Sequence, residues 1–296
     1  MQSGNITDYV KVKKIREGVD AINTLPTIPV TLEKIFSILE DENKSARDLE
    51  NIIKYDQSLS AKIIGVANSA FYGLRMQITT ISRAVVAIGF TEVKNLAISV
   101  ALMNFFKTKA NFPGFSVDKF WLHSIGVGIV SRMIARISAN IDAEALFTCG
   151  IVHDIGRVAL CAYFPEDFKA ILDIKNQENC SMLEAEERYG LKHTLVGRWL
   201  AEKWQFPEVF VQTISCHHHP YAYEQKTFLP AAGIVQLADI LTHRTGLGEE
   251  PDDSLTWPVS LLKDLELTED YVTGVEEGLY SLKDVIKETW GSLISI

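Results

Sequence analysis

Ile151-Val152-His153-Asp154-Ile155-Gly156 sets a histidine beside an aspartate inside an apolar run. Four further patches place the same residue types in similar company. They are Trp121-Leu122-His123-Ser124, Lys192-His193-Thr194-Leu195-Val196-Gly197, Cys216-His217-His218-His219-Pro220 and Leu237-Ala238-Asp239-Ile240. All 7 histidines of the chain fall between His123 and His243. Imidazole and carboxylate set in apolar segments are the donor set of a buried transition-metal site.

Outward from these patches the pattern is helical. Leu32, Ile35, Phe36 and Leu39 follow i, i+3, i+4, i+7 spacing. Ser45 with Asp48 reads as a capping box opening a helix through Leu49, Ile52 and Ile53. Leu59, Ile63, Val66 and Ala67 form the next stripe, ending at Asn68-Ser69. Ser82 is expected to cap a short helix with Val85 and Ile88, stopped by Gly89. Thr91 precedes a nearly all-apolar helix through Val93, Leu96, Ala97, Val100 and Ala101. No stretch alternates like a strand between hairpin turns, so the expected class is all-α. Asn111-Phe112-Pro113-Gly114 marks a seam between two helical lobes. Beyond Thr245-Gly246-Leu247-Gly248, read as the start of an exposed loop, two short acidic amphipathic helices are expected to finish the chain.

Composition narrows the function classes. The 296 residues are 47% hydrophobic and 23% charged, which suits a soluble globular chain with a sizeable core. No apolar run reads as approaching the roughly 18 residues of a membrane span, and Met1 to Arg16 is polar, so a cytoplasmic location is expected. Cys149, Cys161, Cys180 and Cys216 form no Cys-x-x-Cys pair, which favours free thiols. The net charge of −9 resides in the tail, where Thr245 to Ile296 carries 12 acids and 3 bases. Residues 1–244 are therefore balanced and offer no footprint for nucleic-acid phosphates. A helix-turn-helix around Ile88-Gly89-Phe90-Thr91 would have only Lys94 and Asn95 as base readers, so a core helix is the better reading there.

Each patch alone has a plain structural explanation. His123, beside Phe120, Trp121 and Val127, fits a core histidine bonded to a carbonyl. His193 fits an amphipathic surface helix, and His217 to His219 a solvated loop. Asp239 is harder to explain, because a buried unpaired carboxylate costs several kcal/mol and needs a cation, a proton or an ion pair. Together the plain explanations weaken. Neighbouring helical residues point about 100° apart, so His153 and Asp154 are not equivalent ligands of one ion. Asp154 then reads as a carboxylate bridging two ions, each completed by histidines from other helices. Donors of this kind without thiolate favour iron, manganese, cobalt, nickel or zinc over magnesium or calcium.

In chain order, His … His-Asp … His … His-His … Asp resembles the HD phosphohydrolase superfamily, and in particular its HDOD branch. Leu25-Pro26-Thr27-Ile28-Pro29, Leu59-Ser60-Ala61-Lys62-Ile63-Ile64, Ala67-Asn68-Ser69-Ala70-Phe71-Tyr72-Gly73 and Ala87-Ile88-Gly89 look like that branch's opening motifs, and Cys149 to Arg157 its central one. The resemblance implies an HDOD domain over 25–244, with an N-terminal lobe at 25–113 and an HD-like metal-binding lobe at 114–244. Helical extensions at 1–24 and 245–296 would flank it. It implies ligands at His123, His153, Asp154, His193, His217, His218 and Asp239, holding two divalent ions, iron or manganese ahead of zinc, nickel or cobalt. His219 falls where related HD-GYP phosphodiesterases carry a glutamate, and His243 matches no motif, so neither is assigned as a ligand.

Two functions are compatible with that resemblance. One is a metal-dependent phosphohydrolase in bacterial signalling, acting on a nucleotide or another phosphate ester, with Asp154 and Arg157 as catalytic residues. The other is a non-catalytic regulatory module that binds a signalling protein, its metal site structural or sensing. His219-Pro220-Tyr221-Ala222-Tyr223 lacks the Gly-Tyr-Pro segment of the HD-GYP enzymes, and Arg157 replaces their lysine. Both departures argue against cyclic-di-GMP as the substrate. No nucleic-acid partner and no membrane association are expected.

Overall fold

The computed structural model describes residues 12, 13, 16, 30–40, 45–107, 110, 112–137, 141–221 and 229–294. Among the described residues the structure is helical, with one antiparallel bridge, Phe112 to Phe115, and no strand. The all-α expectation holds. The Leu25–Pro29 motif, most of the 1–24 extension, Asn111, Ala222, Tyr223 and the side chains of Phe36 and Leu39 lie outside what is described.

The N-terminal helices are Val30–Glu40 (α1), Ala46–Ile53 (α2), Gln57–Ala67 (α3), Ile81–Ile88 (α4) and Phe90–Lys107 (α5). The Ser45–Asp48 capping box opens α2 as its sequence predicts, a motif worth about 1 kcal/mol. In α3 the stripe Leu59, Ile63, Val66 and Ala67 is buried. The cap of α4 is Thr80 rather than Ser82. Thr80 has the extended backbone that a cap needs, and its hydroxyl accepts from the Arg83 N–H, whereas Ser82 already lies inside the helix. Ile81 and Ala84 are its fully buried residues, and Val85 and Ile88 pack partly buried against the core. Asn95 is buried on α5, donates to Glu144 (2.9 Å) and accepts from Thr148 (3.2 Å).

The rest of the bundle comprises Val117–Ala135 (α6), Ala143–Val152 (α7), Ile155–Tyr163 (α8), Pro165–Glu178 (α9), Met182–Tyr189 (α10), His193–Lys203 (α11), Glu208–Cys216 (α12), Pro230–Thr245 (α13), Val259–Asp264 (α14) and Glu269–Ile294 (α15). Helices α6, α7 and α13 pack most intimately, and α8 lies along α11. Two glycine pairs permit these approaches. A Cβ on Gly150 of α7 would stand 2.5 Å from the Gly128 backbone of α6. One on Gly156 of α8 would run into the His193 carbonyl and stand 2.7 Å from the Gly197 nitrogen, both on α11.

One hydrophobic cluster runs from Leu32 to Ile294 through both halves of the described chain. The stretch Ala143–Tyr163 is, contrary to the sequence reading, long and apolar enough to cross a membrane, but 83% of it is buried within the bundle. Its hydrophobicity therefore serves the core. The last helix is not short: α15 spans 26 residues. Val272, Val275, Leu279, Ile286 and Trp290 press it onto the core, and α15 packs against α6 and α13. The segment after α13 also differs from the expected exposed loop. Thr245, Gly246, Leu247 and Gly248 are buried, and exposure begins at Glu249. Gly248, at φ +91°, passes so close to α6 that a Cβ would stand 2.5 Å from the Lys119 carbonyl.

Candidate metal centre

All seven ligands implied by the resemblance converge in the bundle. They form two groups whose donor atoms lie within 4.8 Å of one another: Asp154, His193, His217 and His218, and then His123, His153 and Asp239. His153 and Asp154 fall in different groups. They sit in the turn between α7 and α8 rather than inside one helix. Asp154 stands at the N-cap of α8, yet its side chain makes no cap hydrogen bond, so the carboxylate faces the site.

Hydrogen bonds orient three of the histidine rings. The Nδ1 of His153 is bonded to the Gly150 carbonyl at 2.7 Å. That of His217 lies 3.2 Å from the carbonyls of both Thr213 and Ile214. That of His193 is bonded to the Glu186 carboxylate. Each acceptor calls for a proton on Nδ1 and leaves the Nε2 lone pair free, the arrangement typical of metal-bound imidazole. His193 Nε2 lies 2.9 Å, and His217 Nε2 3.4 Å, from Asp154 Oδ1, and the two nitrogens are 3.4 Å apart. Donors on one ion with bonds of ~2.1 Å stand roughly 3.0–3.4 Å apart. The triangle therefore fits a single coordination sphere.

The second group gathers around Asp239 Oδ1, with His123 Nε2 at 2.9 Å and His153 Nε2 at 3.9 Å, but the Nδ1 of His123 has no partner. His153 Nε2 also lies 3.5 Å from Asp154 Oδ2, so that carboxylate faces both groups. His153 Nε2, Asp154 Oδ1 and His218 Nε2 are buried without a hydrogen-bond partner. Buried polar atoms are rarely left so, and a divalent cation in each group would satisfy them. No cysteine belongs to either group.

Charge follows the same geometry. Burial pulls His153 down to about 4 despite the neighbouring Asp154 carboxylate. Burial raises Asp154, but Arg157, His153 and His193 outweigh it and hold the carboxyl well below its ordinary range. For His193, burial is outweighed by Glu186 and Asp154, and its pKa is raised.

Arg157 does stand beside Asp154. Its guanidinium donates to Asp154 Oδ2 and, at 3.2 Å, to Glu186 Oε1. Sequence reading missed Glu186, which is fully buried and joins Arg157 to His193. It also missed His243 and Glu249, which adjoin the second group. The spacing Asp239-x-x-x-His243 could have flagged His243, because residues four apart share a helix face. No comparable signal marks Glu186. His219 belongs to neither group. A 450 Å³ cleft opens onto His123, Asp154 and Arg157, with Lys119, Lys175 and Glu249 also in its walls.

Known proteins resemble this chain in sequence and fold. The model of the HDOD domain family matches residues 25–220; Asp239 and His243 lie beyond the matched stretch. An uncharacterized protein of Treponema pallidum (strain Nichols) is 25% identical over 263 residues, covering 87% of this chain and 49% of its own length. The chain thus spans about half of that curated relative. A crystal structure of an HDOD domain protein of unknown function from Geobacter sulfurreducens superposes with a TM-score of 0.73 at 25% identity, covering 95% of this chain and 98% of that one. A Shewanella amazonensis SB2B protein named as a candidate phosphohydrolase gives 0.74 at 22% identity, with 93% and 97% covered. A Marinobacter aquaeolei VT8 protein named as a candidate signal transduction protein gives 0.75 at 24%, with 92% and 60% covered. The last two likenesses bear on the fold. With the HD-type ligand groups in place, the chain belongs to the HDOD domain family.

Proposed function

We propose that this HDOD protein is a signalling phosphohydrolase that cleaves a nucleotide or another phosphate ester at a two-ion centre. The observation that carries this reading is the cleft, which reaches His123 and Asp154. Structural metal sites are closed by protein ligands, whereas catalytic ones keep an accessible side. Asp154, His193, His217 and His218 would hold one ion, and His123, His153 and Asp239 the other, with Asp154 facing both. Imidazole and carboxylate donors without thiolate suit iron, manganese, cobalt, nickel or zinc, and the family resemblance puts iron or manganese first. Such ions, when bound, supply Lewis acidity toward phosphoryl oxygens and a source of hydroxide near neutral pH.

The chain's own residues supply binding and orientation. Lys119 and Lys175 line the cleft and offer cationic donors to an anionic substrate. Arg157 lines it too, held by Asp154 and Glu186. Glu249 lies opposite in charge, but His243 engages it. The full chain reconstituted with manganese or iron should turn over phosphomonoesters, phosphodiesters or nucleotides, and Lys175→Ala should raise KM more than it lowers kcat. Absence of turnover on all three classes, with two ions bound per chain, would overturn the proposal.

One observation favours a second, regulatory reading. Arg157 already occupies Asp154 Oδ2, the oxygen that faces the second group. In that reading the centre senses metal, and a protein partner reads the outcome. A stable partner whose binding follows metal loading, in the absence of turnover, would favour it.

A further inference from the structure

The second ligand group has an unused neighbour. His243 lies one helical turn beyond Asp239 on α13, and its Nε2 stands 3.3 Å from Asp239 Oδ1. Its ring centroid is 4.4 Å from that of His123. Three imidazole Nε2 atoms, from His123, His153 and His243, therefore surround one carboxylate oxygen. The 3.3 Å separation from Asp239 matches the roughly 3.0–3.4 Å between donors sharing an ion at bonds of ~2.1 Å, while His243 stands outside the group whose donors all lie within 4.8 Å of one another, so a shared ion would draw its ring inward.

The other nitrogen of His243 is held as well. Its Nδ1 lies 3.3 Å from Glu249 Oε2, just as Glu186 holds the Nδ1 of His193. The backbone places Glu249 there. The Asp252 N–H donates to the His243 carbonyl and the Leu247 N–H to that of Thr242. Gly248 passes against α6, where a Cβ would stand 2.6 Å from the His123 nitrogen. A carboxylate–imidazole pair aimed at a candidate ion is the usual arrangement of a metal ligand and its support.

We propose that His243 is an eighth metal ligand, completing a His123–His153–Asp239–His243 site for a divalent first-row ion, with Glu249 orienting its ring. This rests on the metal-centre reading above. It differs from the alternative in which His243 only forms an ion pair with the two carboxylates.

The test uses the full chain, stripped with chelator and titrated with Co²⁺, read by calorimetry, visible absorption and elemental analysis. Wild type should take up two equivalents. His243→Ala should weaken one class of site by at least about 10–100-fold and change its cobalt spectrum, leaving the other class as in wild type. Glu249→Ala, at an exposed side chain, should weaken the same class by a smaller factor, and it serves if His243→Ala does not fold. Two unaltered classes of site in either variant, even with a lowered melting temperature of the metal-free protein, would overturn the assignment and leave an ion pair. A wild-type chain that takes up no Co²⁺ is a different result: it would overturn the metal-centre reading, and this assignment with it.

Discussion

The Asp154 and Asp239 groups use the same donors but are held differently. Around Asp154, His193 and His217 have no exposed surface, and the acceptors of their Nδ1 atoms are carbonyls of α12 and the fully buried Glu186. Glu186 is itself fixed by Arg157. Around Asp239, the His243 side chain is 23% exposed and that of its partner Glu249 55% exposed. A carboxylate in solvent is screened and mobile, so it orients an imidazole less firmly than a buried one. The comparison teaches that one donor group is built into the core and the other lies at its edge, beside the cleft. Ion affinity should follow the same order, tighter at Asp154.

The largest expected effect comes from removing what the two groups share. Asp154→Ala should abolish metal uptake at both. In metal-free protein it should lower unfolding free energy by about 3–5 kcal/mol, because Arg157 loses one of its two buried partners. Elemental analysis and urea unfolding measure the two effects. Full retention of one ion would break the idea of a shared carboxylate.

A smaller change should separate the halves. Gly156→Ala forces a methyl into the His193 carbonyl and must push α11 away from α8. The cost is expected at about 1–3 kcal/mol, with metal lost from the Asp154 group while the Asp239 group still fills. Equal loss at both sites would show that the two cannot be uncoupled.

The last effect, graded with pH rather than tied to one substitution, is a pH dependence of the metal-free chain. His153 is held at about 4 in the fold against an ordinary value of 6.5, by burial. Between those values the unfolded chain carries the extra proton, so stability falls as pH drops through the window, by up to about 1.4 kcal/mol per unit. Chelated wild type unfolded in urea between pH 4 and 7 should show that slope, and His153→Gln should flatten it. Equal slopes would assign the dependence to other groups.

Legibility varied with the range of the interaction. The Ser45–Asp48 box could be read from four residues, because a cap is a local hydrogen-bond pattern. Asp239 could be read as needing a cation because Ala238 and Ile240 flank it, and it is buried beside His123. The Thr80 cap of α4 was missed, since Ser82 is an equally good capping residue in isolation. The burial of Thr245 to Gly248 was missed too: those residues look like a turn, and only packing against α6 covers them.

The sequence by itself determined the class and the donor set. Helical periodicity and the absence of strand-like alternation are properties of neighbouring residues, and histidine and aspartate in apolar runs announce their chemistry without coordinates. Tertiary structure alone decided the pairing. It divided the seven residues between two groups and placed Glu186 behind His193 from a different helix. It also brought His243 and Glu249 up to Asp239. The physical reason is that ligation and its support depend on ångström-scale approaches between distant helices. Those approaches are set by contacts such as Gly128 with Gly150 and Gly156 with Gly197, which no single stretch of chain contains.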